Sequence, residues 1–310
     1  MSEHSDITTN GWNALVHGQR ACRTPWTVLQ LQGPDALTFL QGQTTTDTRT
    51  LQPDHSLLAA TLSLKGRVLE LFILLQHDSQ SFFLLMPKDQ AASFQQRMQR
   101  YLAFSKSTLT HAPAWSVCMQ GHEARSEQRW HTQTDSGISS ILISPTRSLI
   151  VQACAEDPDW LCESYCLLSL IQAGIPYLPA LLADQYLPQM LHLQALDGLS
   201  FNKGCYTGQE IVARAWFRGQ IKQSMQRWQG QSSRPIPTAM PLYSLKPESG
   251  KQTAESERDK VGEVLFAVQN ADHGWEGLAM LRHDLDRTLW GEDDVGPLVT
   301  QTLGYAIPVR

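Results

Sequence analysis

The sequence lacks any Cys-x-x-Cys pair, although it contains six cysteines. Close cysteine pairs are the usual ligands of structural zinc and of iron–sulfur clusters, so no metal site is indicated. No stretch approaches the roughly 20 apolar residues that a membrane-spanning helix needs. The first ten residues, MSEHSDITTN, have neither the basic start nor the apolar run of a signal peptide. These absences predict a cytoplasmic protein without a membrane segment, whose cysteines stay as free thiols.

The sequence also has fewer positively than negatively charged residues. Lys and Arg together number 25 against 30 Asp and Glu, which gives a net charge of -5. Such a chain has no overall attraction for a phosphate backbone, and no strong local basic patch stands out. Direct nucleic-acid binding is therefore not expected. Hydrophobic residues make up 42% of the 310 residues, which is typical of a folded chain with about two domains.

Strand-like and helix-like patterns alternate irregularly through the first 220 residues. Because they do not form regular βαβ units, the pattern predicts an α+β fold rather than a doubly wound sheet. Residues 64–67 read as the turn of a hairpin. Helices are predicted at 35–40, 88–103 and 159–173, and strands at 26–32, 56–62, 68–76, 82–86, 115–119, 138–143 and 149–154.

The pattern changes at about residue 222, where helical periodicity ends and prolines separate short strands. Strands are predicted at 225–229, 262–268 and 277–281, and the charged stretch 248–260 is predicted to be an exposed loop. This composition favours a small β-barrel. We therefore divide the chain into an α+β portion, residues 1–220, and a C-terminal β-barrel, residues 221–310.

The segment KGCYTGQE, residues 203–210, precedes a helical run. Thr207 and Glu210 have the Thr-x-x-Glu spacing of a capping box, which predicts a helix that begins at Thr207. Cys205 would then lie just before a helix N-terminus and near Lys203, and both features favour a thiolate. Cys205 is thus predicted to be the most reactive of the six thiols. On spacing alone, the commoner arrangement is a glycine-rich turn in which the cysteine only packs.

The same segment, continued by IVARAWFRG, closely resembles the signature of the bacterial tRNA-modifying protein family YgfZ. Further matches are LQGQTTTD at residues 40–47, residues 184–201, and FSK at residues 104–106. They extend over most of the first 220 residues, whereas the C-terminal part resembles the family only in its general β-barrel character. The resemblance implies an α+β, aminomethyltransferase-like folate-binding domain followed by a small C-terminal β-barrel.

The resemblance also implies a function. Members of this family bind tetrahydrofolate in a central cavity and support iron–sulfur proteins, including an enzyme that thiomethylates tRNA. Cys205 would be the functional cysteine and the candidate catalytic residue. The folate-side residues would be Trp26, Lys203, Tyr206, Gln209 and Glu210. The alternatives are a folate-dependent one-carbon (aminomethyl) transferase and a folate-binding scaffold without chemistry.

Two departures from the family pattern affect the folate site. The family has a second folate-side tryptophan eight residues before the glycine that is Gly174 here, and that position is Cys166. The related aminomethyltransferase has a catalytic aspartate after a hairpin glycine, but the nearest acid here is Glu70. Strand alternation favours a solvent-facing Glu70, so a proton-handling group is not assured.

Five residues have alternative roles. By default Trp26 is a core residue and Lys203 a solvated lysine, but in a folate site Trp26 would line a cavity near residues 203–210. His192 could form a nucleophilic pair with Cys205, although no spacing specifies it. Arg214 and Arg218 lie four apart on one helix face and form either a solvated face or an anion site.

Overall fold

The computed structural model describes residues 7–153, 157–245, 258–283, 288–292 and 295–307. These residues form helices, three antiparallel sheets and two short 3-10 turns. The helices are α1 Thr9–Val16, α2 Ala36–Gln43, α3 Lys88–Leu102, α4 Glu163–Ala173 and α5 Gln209–Arg218. The strands are β1 Cys22–Arg23, β2 Trp26–Gln32, β3 Leu57–Leu62, β4 Val68–Asp78, β5 Ser81–Pro87, β6 Thr108–His111, β7 Ser116–Gly121, β8 Thr132–Asp135, β9 Ile138–Ser144, β10 Arg147–Gln152, β11 Gln223–Gly230, β12 Pro241–Leu245, β13 Arg258–Gln269, β14 Trp275–Arg282, β15 Thr288–Leu289 and β16 Leu298–Gln301.

The first sheet has the strand order β3-β4-β5-β2-β6 and is buried on both faces. One face packs against α3, where Phe72 contacts Phe94 with ring centroids 5.6 Å apart. The other face contributes Trp26, Leu71 and Ile73 to the main core. Because both faces are covered, β3, β4 and β5 read as nearly continuous apolar runs rather than alternating ones.

The second sheet has the order β1-β7-β10-β9-β8 and shares the main core with α4. Helix α4 ends at Gly174, which takes a left-handed conformation with φ 67. Glycine adopts this conformation without strain, as expected at a helix C-terminus. This end of α4 faces the C-terminal segment, because a Cβ at Gly174 would lie 2.7 Å from the ring of Tyr305.

The third sheet has the order β12-β13-β14-β11-β16-β15 and nearly closes on itself. Its two edges are joined by backbone hydrogen bonds between Tyr243 and Trp290, at 2.7 and 2.8 Å. Trp228 and Leu281 belong to its own interior, whereas Met280 belongs to the main core. The predicted α+β fold with a C-terminal barrel is thus confirmed, while the boundary at residue 220 stays a prediction.

Most predicted elements occur with shifted ends. The strand at 26–32 and the helix at 88–103 agree with β2 and α3 to within one residue. The helix predicted from residue 159 begins only at Glu163. In the predicted loop 248–260, residues 248–257 lie outside the described residues, and the remainder belongs to β13. The strand predicted at 149–154 ends at Gln152, and Cys154 also lies outside the described residues.

Candidate functional site

Three of the segments that carry the family resemblance meet around Thr45. Its backbone amide donates to the carbonyl of Ala60 at 2.9 Å, and its carbonyl accepts from the amide of Ser200 at 2.9 Å. Its hydroxyl donates to the carbonyl of Gly198 at 2.6 Å. The loop of residues 44–46 is therefore fixed to β3 on one side and to the chain that leads into residues 203–210 on the other.

Lys203 completes this junction. Its ammonium donates to the carbonyl oxygens of Thr44 at 2.7 Å and Thr46 at 2.6 Å, and lies 5.0 Å from the centroid of the Tyr206 ring. Only 7% of Lys203 is exposed. Burial lowers the pKa of Lys203 to about 8, against the smaller opposing effect of the Asp47 carboxylate. Lys203 is therefore a buried link between two segments, which corrects the expectation of a solvated lysine.

Tyr206 anchors the other side of the turn. It is buried, and this burial raises its pKa to about 12. Its carbonyl accepts from the amide of Gln209 at 3.2 Å, and its amide donates to the Gln209 side chain at 3.4 Å. Glu210 is exposed in the first turn of α5. Two buried side chains, Lys203 and Tyr206, thus fix the backbone on either side of Cys205.

The predicted capping box is wrong. Helix α5 begins at Gln209, with Gly208 at the N-cap position and no side-chain capping bond from Thr207. Gly208 has φ 80, and a Cβ on it would lie 2.7 Å from the carbonyl oxygen of Ser63 and 3.0 Å from Gly66. Close contact with the β3–β4 turn therefore decides where the helix begins, and the Thr-x-x-Glu spacing does not show that contact.

We expect Gly208→Ala to lower the free energy of unfolding by about 1–3 kcal/mol, because alanine is strained at this φ and collides with the β3–β4 turn. Gly204→Ala is the matched control, since Gly204 is exposed and a Cβ there meets nothing within 4 Å. That variant should stay within about 0.5 kcal/mol of the wild type. Urea denaturation measures both. Equal effects at the two positions would contradict the close approach.

Cys205 is exposed, whereas Cys22, Cys118 and Cys166 are buried and Cys162 is half-buried. Burial raises the pKa of the Cys22 and Cys166 thiols well above the usual value. Positive charge acts on the Cys205 thiol less strongly than the sequence predicts, since the Lys203 ammonium is bound to carbonyls and α5 starts four residues after Cys205. Accessibility rather than charge distinguishes this thiol.

We expect limited alkylation at neutral pH to label Cys205 first. Reaction needs both an accessible sulfur and a thiolate, and the buried thiols lack the first and disfavour the second. Peptide mass spectrometry after a short exposure to iodoacetamide gives the order of labelling. Earlier labelling of Cys162 than of Cys205 would contradict the exposed position of Cys205 in its turn.

Trp26, which the resemblance places beside the folate, belongs to the main core. It is buried at the start of β2, edge-on to Tyr177 with ring centroids 6.5 Å apart. The cavity beside it measures only ≈ 10 Å³ and is lined by Trp26, Leu58, Leu71, Phe72, Ile73, Ile175, Pro176, Tyr177 and Leu178. None of these residues comes from the segment 203–210, so this cavity is not the shared one that we expected.

Glu70 is buried, which corrects the expectation of a solvent-facing carboxylate. It accepts hydrogen bonds from the Thr61 hydroxyl and from the guanidinium of Arg97 on α3. Burial raises the pKa of Glu70, against the lowering effect of Arg97. Strand alternation puts Glu70 on the α3 face of the first sheet and Trp26 on the opposite face. The sequence alone could not show its partner on α3.

The remaining candidates separate in space. Cys166, at the position of the family tryptophan, is fully buried in the main core and lines neither described cavity. His192 is hydrogen-bonded through Nδ1 to the Tyr305 hydroxyl at 3.4 Å, and no hydrogen bond joins it to Cys205 among the described residues. Arg214 and Arg218 are both exposed, which agrees with a solvated helix face.

A larger cavity, of ≈ 920 Å³, lies between the end of α5, residues 189–194, the start of β11 and residues 301–307. The sequence pattern does not reveal it, because its polar lining combines glutamines, histidines and hydroxyl groups scattered along the chain. In the described part of the chain, no group of three or more His, Cys, Asp or Glu side chains is placed to hold a metal ion. The described helices include none that is long and apolar enough to cross a membrane.

Comparison with known proteins decides the family. The chain is 32% identical to the tRNA-modifying protein YgfZ of Serratia proteamaculans over 91% of each chain. It is 31% identical to that of Sodalis glossinidius, again over 91% of each. This chain belongs to the YgfZ family. The Vibrio atlanticus YgfZ is 30% identical over 84% of this chain and 83% of its own. A scan against family models found no match.

A solved structure supports the same fold. The glycine cleavage system aminomethyltransferase T of Bartonella henselae superimposes with a TM-score of 0.67, over 96% of this chain and 90% of that one. The two sequences are 12% identical. This similarity confirms the predicted aminomethyltransferase-like fold of a YgfZ protein and carries no further information about its ligands.

Proposed function

We propose that this chain acts in tRNA modification, the role for which its YgfZ relatives are named. The observation that carries the proposal is the exposed Cys205, on a turn that buried Lys203 and Tyr206 fix on both sides. A thiol on a fixed, accessible turn can react with a partner or bind the metal of that partner, since the thiolate is both a nucleophile and a metal ligand.

The finer proposal follows the family resemblance. We infer an accessory role, in which the chain supports the assembly or repair of iron–sulfur clusters in enzymes such as one that thiomethylates tRNA. The partner would be the iron–sulfur protein rather than the tRNA, because a net charge of -5 gives the chain no general attraction for RNA. An exposed cysteine suits a transient encounter with such a partner.

The test is complementation in bacterial cells that lack their own family member. We expect expression of this chain to restore the thiomethylated nucleosides in hydrolysed tRNA, measured by mass spectrometry. Restored cluster content in the purified thiomethylating enzyme would support the iron–sulfur part separately. Absence of both effects in cells that contain the folded chain would contradict the proposal.

Tetrahydrofolate, or a derivative of it, is the ligand that the aminomethyltransferase-like fold suggests. Two of the residues assigned to it by resemblance, Trp26 and Lys203, do not form an open site as they lie here. The ≈ 10 Å³ cavity beside Trp26 has room for about one water molecule, and the ammonium of Lys203 is already bound to two carbonyls. Folate binding is therefore proposed from the fold alone, and a titration followed by calorimetry tests it.

A folate-dependent aminomethyl transferase is the second candidate, since the Bartonella henselae neighbour is named as one. The position of Glu70 disfavours this activity. Glu70 is the carboxylate that follows the hairpin glycine, and it is bound to Arg97 on the face of the sheet opposite to Trp26. We expect no methylenetetrahydrofolate when the protein is incubated with tetrahydrofolate and an aminomethyl donor. Catalytic formation of that product would establish the transferase instead.

A further inference from the structure

An exposed surface forms where the β3–β4 turn meets α5. Residues 63–66 form a β-turn, in which the last amide donates to the first carbonyl at 2.9 Å, so Leu64 and Lys65 are its central residues. Both are exposed. A Cβ on Gly66 would lie 2.8 Å from the Cβ of Ile211. The turn therefore lies directly against the first turn of α5.

The exposed side of α5 continues this surface. Ile211, Arg214 and Arg218 are three and four residues apart, which places them on one face of the helix. Phe217 lies at the edge of that face, and all four residues are exposed. Cys205 precedes the helix by four residues, so the surface begins close to the exposed thiol. We call this surface the α5–turn face, and it comprises Leu64, Lys65, Ile211, Arg214, Phe217 and Arg218.

Half of the α5–turn face is apolar. Leu64 is 87% exposed, Phe217 53% and Ile211 38%. Single exposed apolar side chains are common on any protein surface. Here three of them lie on two segments that touch each other. Such grouping is typical of a surface that another molecule covers.

The other half of the α5–turn face is basic. Residues 63–67 and 209–218 together carry four basic residues and one acidic residue, although the whole chain has a net charge of -5. Within the part of the chain that the structure describes, the side chains of Lys65, Arg214 and Arg218 form no ion pair. Local positive charge of this kind is complementary to an acidic partner.

The apolar residues favour a protein partner over RNA. The aliphatic side chains of Leu64 and Ile211 offer a base neither a ring to stack on nor a hydrogen bond, which are the usual contacts in RNA recognition. Protein interfaces, in contrast, combine an apolar centre with a polar rim and are enriched in arginine. The α5–turn face has this composition.

We propose that the α5–turn face binds an acidic protein segment that carries apolar side chains at its centre. Binding there brings the partner next to the thiol of Cys205. The proposed function supplies the identity of this partner as an iron–sulfur protein, whereas the exposed residues supply the chemistry of the segment that docks.

Selection from a library of short random peptides displayed on phage tests the proposal, with the full-length protein as bait. We expect the enriched peptides to combine Asp or Glu with Leu, Ile or Phe. Fluorescence polarisation with a labelled enriched peptide gives the affinity, which should fall as ionic strength rises, because salt screens exposed charges. Enrichment of basic peptides, or of no peptide at all, would overturn the proposal.

Variants locate the bound peptide. Leu64→Asp and Arg218→Glu should each weaken peptide binding by about fivefold or more, since each places negative charge against an acidic ligand. Phe104→Asp and Arg100→Glu are the matched controls. Phe104 is 94% exposed, and Arg100 lies in the last turn of α3 as Arg218 lies in the last turn of α5. Thermal unfolding checks that each variant is folded, and equal peptide affinity in all four would overturn the proposal.

Two other occupants give different results. Binding of purified tRNA that Arg218→Glu weakens by about tenfold would identify an RNA surface, and dimerisation that Leu64→Asp abolishes would identify a second copy of this chain. Either result would overturn the proposal. In cells that lack their own family member, Leu64→Asp and Arg218→Glu should restore less thiomethylated nucleoside than their controls. Failure of the wild type to restore it would contradict the proposed function alone, because peptide binding tests the face directly.

Discussion

Lys203→Ala is expected to lower the free energy of unfolding by about 2–4 kcal/mol at pH 7. The substitution removes both hydrogen bonds to the buried loop of residues 44–46, and an unsatisfied buried acceptor costs about 1–3 kcal/mol. The carbonyl of Thr46 would keep only the long 3.4 Å bond from the Thr44 hydroxyl. The contact with the Tyr206 ring is lost as well. Chemical denaturation measures the difference.

The pH dependence of that difference tests the state of the ammonium. The pKa of Lys203 is lowered to about 8 in the folded protein from an ordinary value of 10.5. Between these two values the unfolded chain binds more protons than the folded one, so stability rises with pH in this window. The neutral amine still donates to both carbonyls without the desolvation cost of the charge. The free energy of unfolding of the wild type should therefore rise by about 1–2 kcal/mol relative to that of Lys203→Ala between pH 7 and pH 9.5.

Lys65→Ala is the control for this experiment. Lys65 is exposed in the β3–β4 turn, so its removal should change stability by less than about 0.5 kcal/mol. Lys203→Met retains most of the apolar stem and separates lost packing from lost hydrogen bonds. If Lys203→Ala and Lys65→Ala were equally stable at both pH values, Lys203 would not be the buried link described above.

The fold was largely predictable because its signals are local. Helix α3 carries apolar residues at helical spacing and β2 ends at a Gly-Pro turn, so both could be placed within a residue. The start of α5 was not predictable from spacing. It depends on the approach of Gly208 to Ser63, a contact between segments that are distant along the chain.

The candidate site was predictable only in part, for the same reason. The resemblance identified residues 40–47 and 203–210 separately, but not that Lys203 binds one to the other. Glu70 has its partner on α3, and strand alternation alone cannot distinguish a covered face from a solvated one. The large cavity combines residues from positions 189–307, and no local pattern identifies such a set.

Cys205→Ser is expected to remove most of the function while leaving the fold intact. The side chain is exposed, so the exchange of sulfur for oxygen disturbs no buried packing. A serine hydroxyl stays protonated at neutral pH and binds metals poorly, so it replaces the thiol in shape but not in chemistry. We expect the restoration of tRNA thiomethylation to fall by roughly tenfold or more. Thermal unfolding should match that of the wild type.

The most direct measurement compares Cys205→Ser with Cys162→Ser in cells that lack their own family member. Cys162 stands at the N-cap of α4, where serine is a favoured residue, so that variant keeps its fold. Mass spectrometry of hydrolysed tRNA, at matched protein levels by immunoblot, gives the thiomethylated nucleoside content. We predict full restoration by Cys162→Ser and little by Cys205→Ser. Equal restoration by both variants would contradict the claim that the function requires the thiol of Cys205.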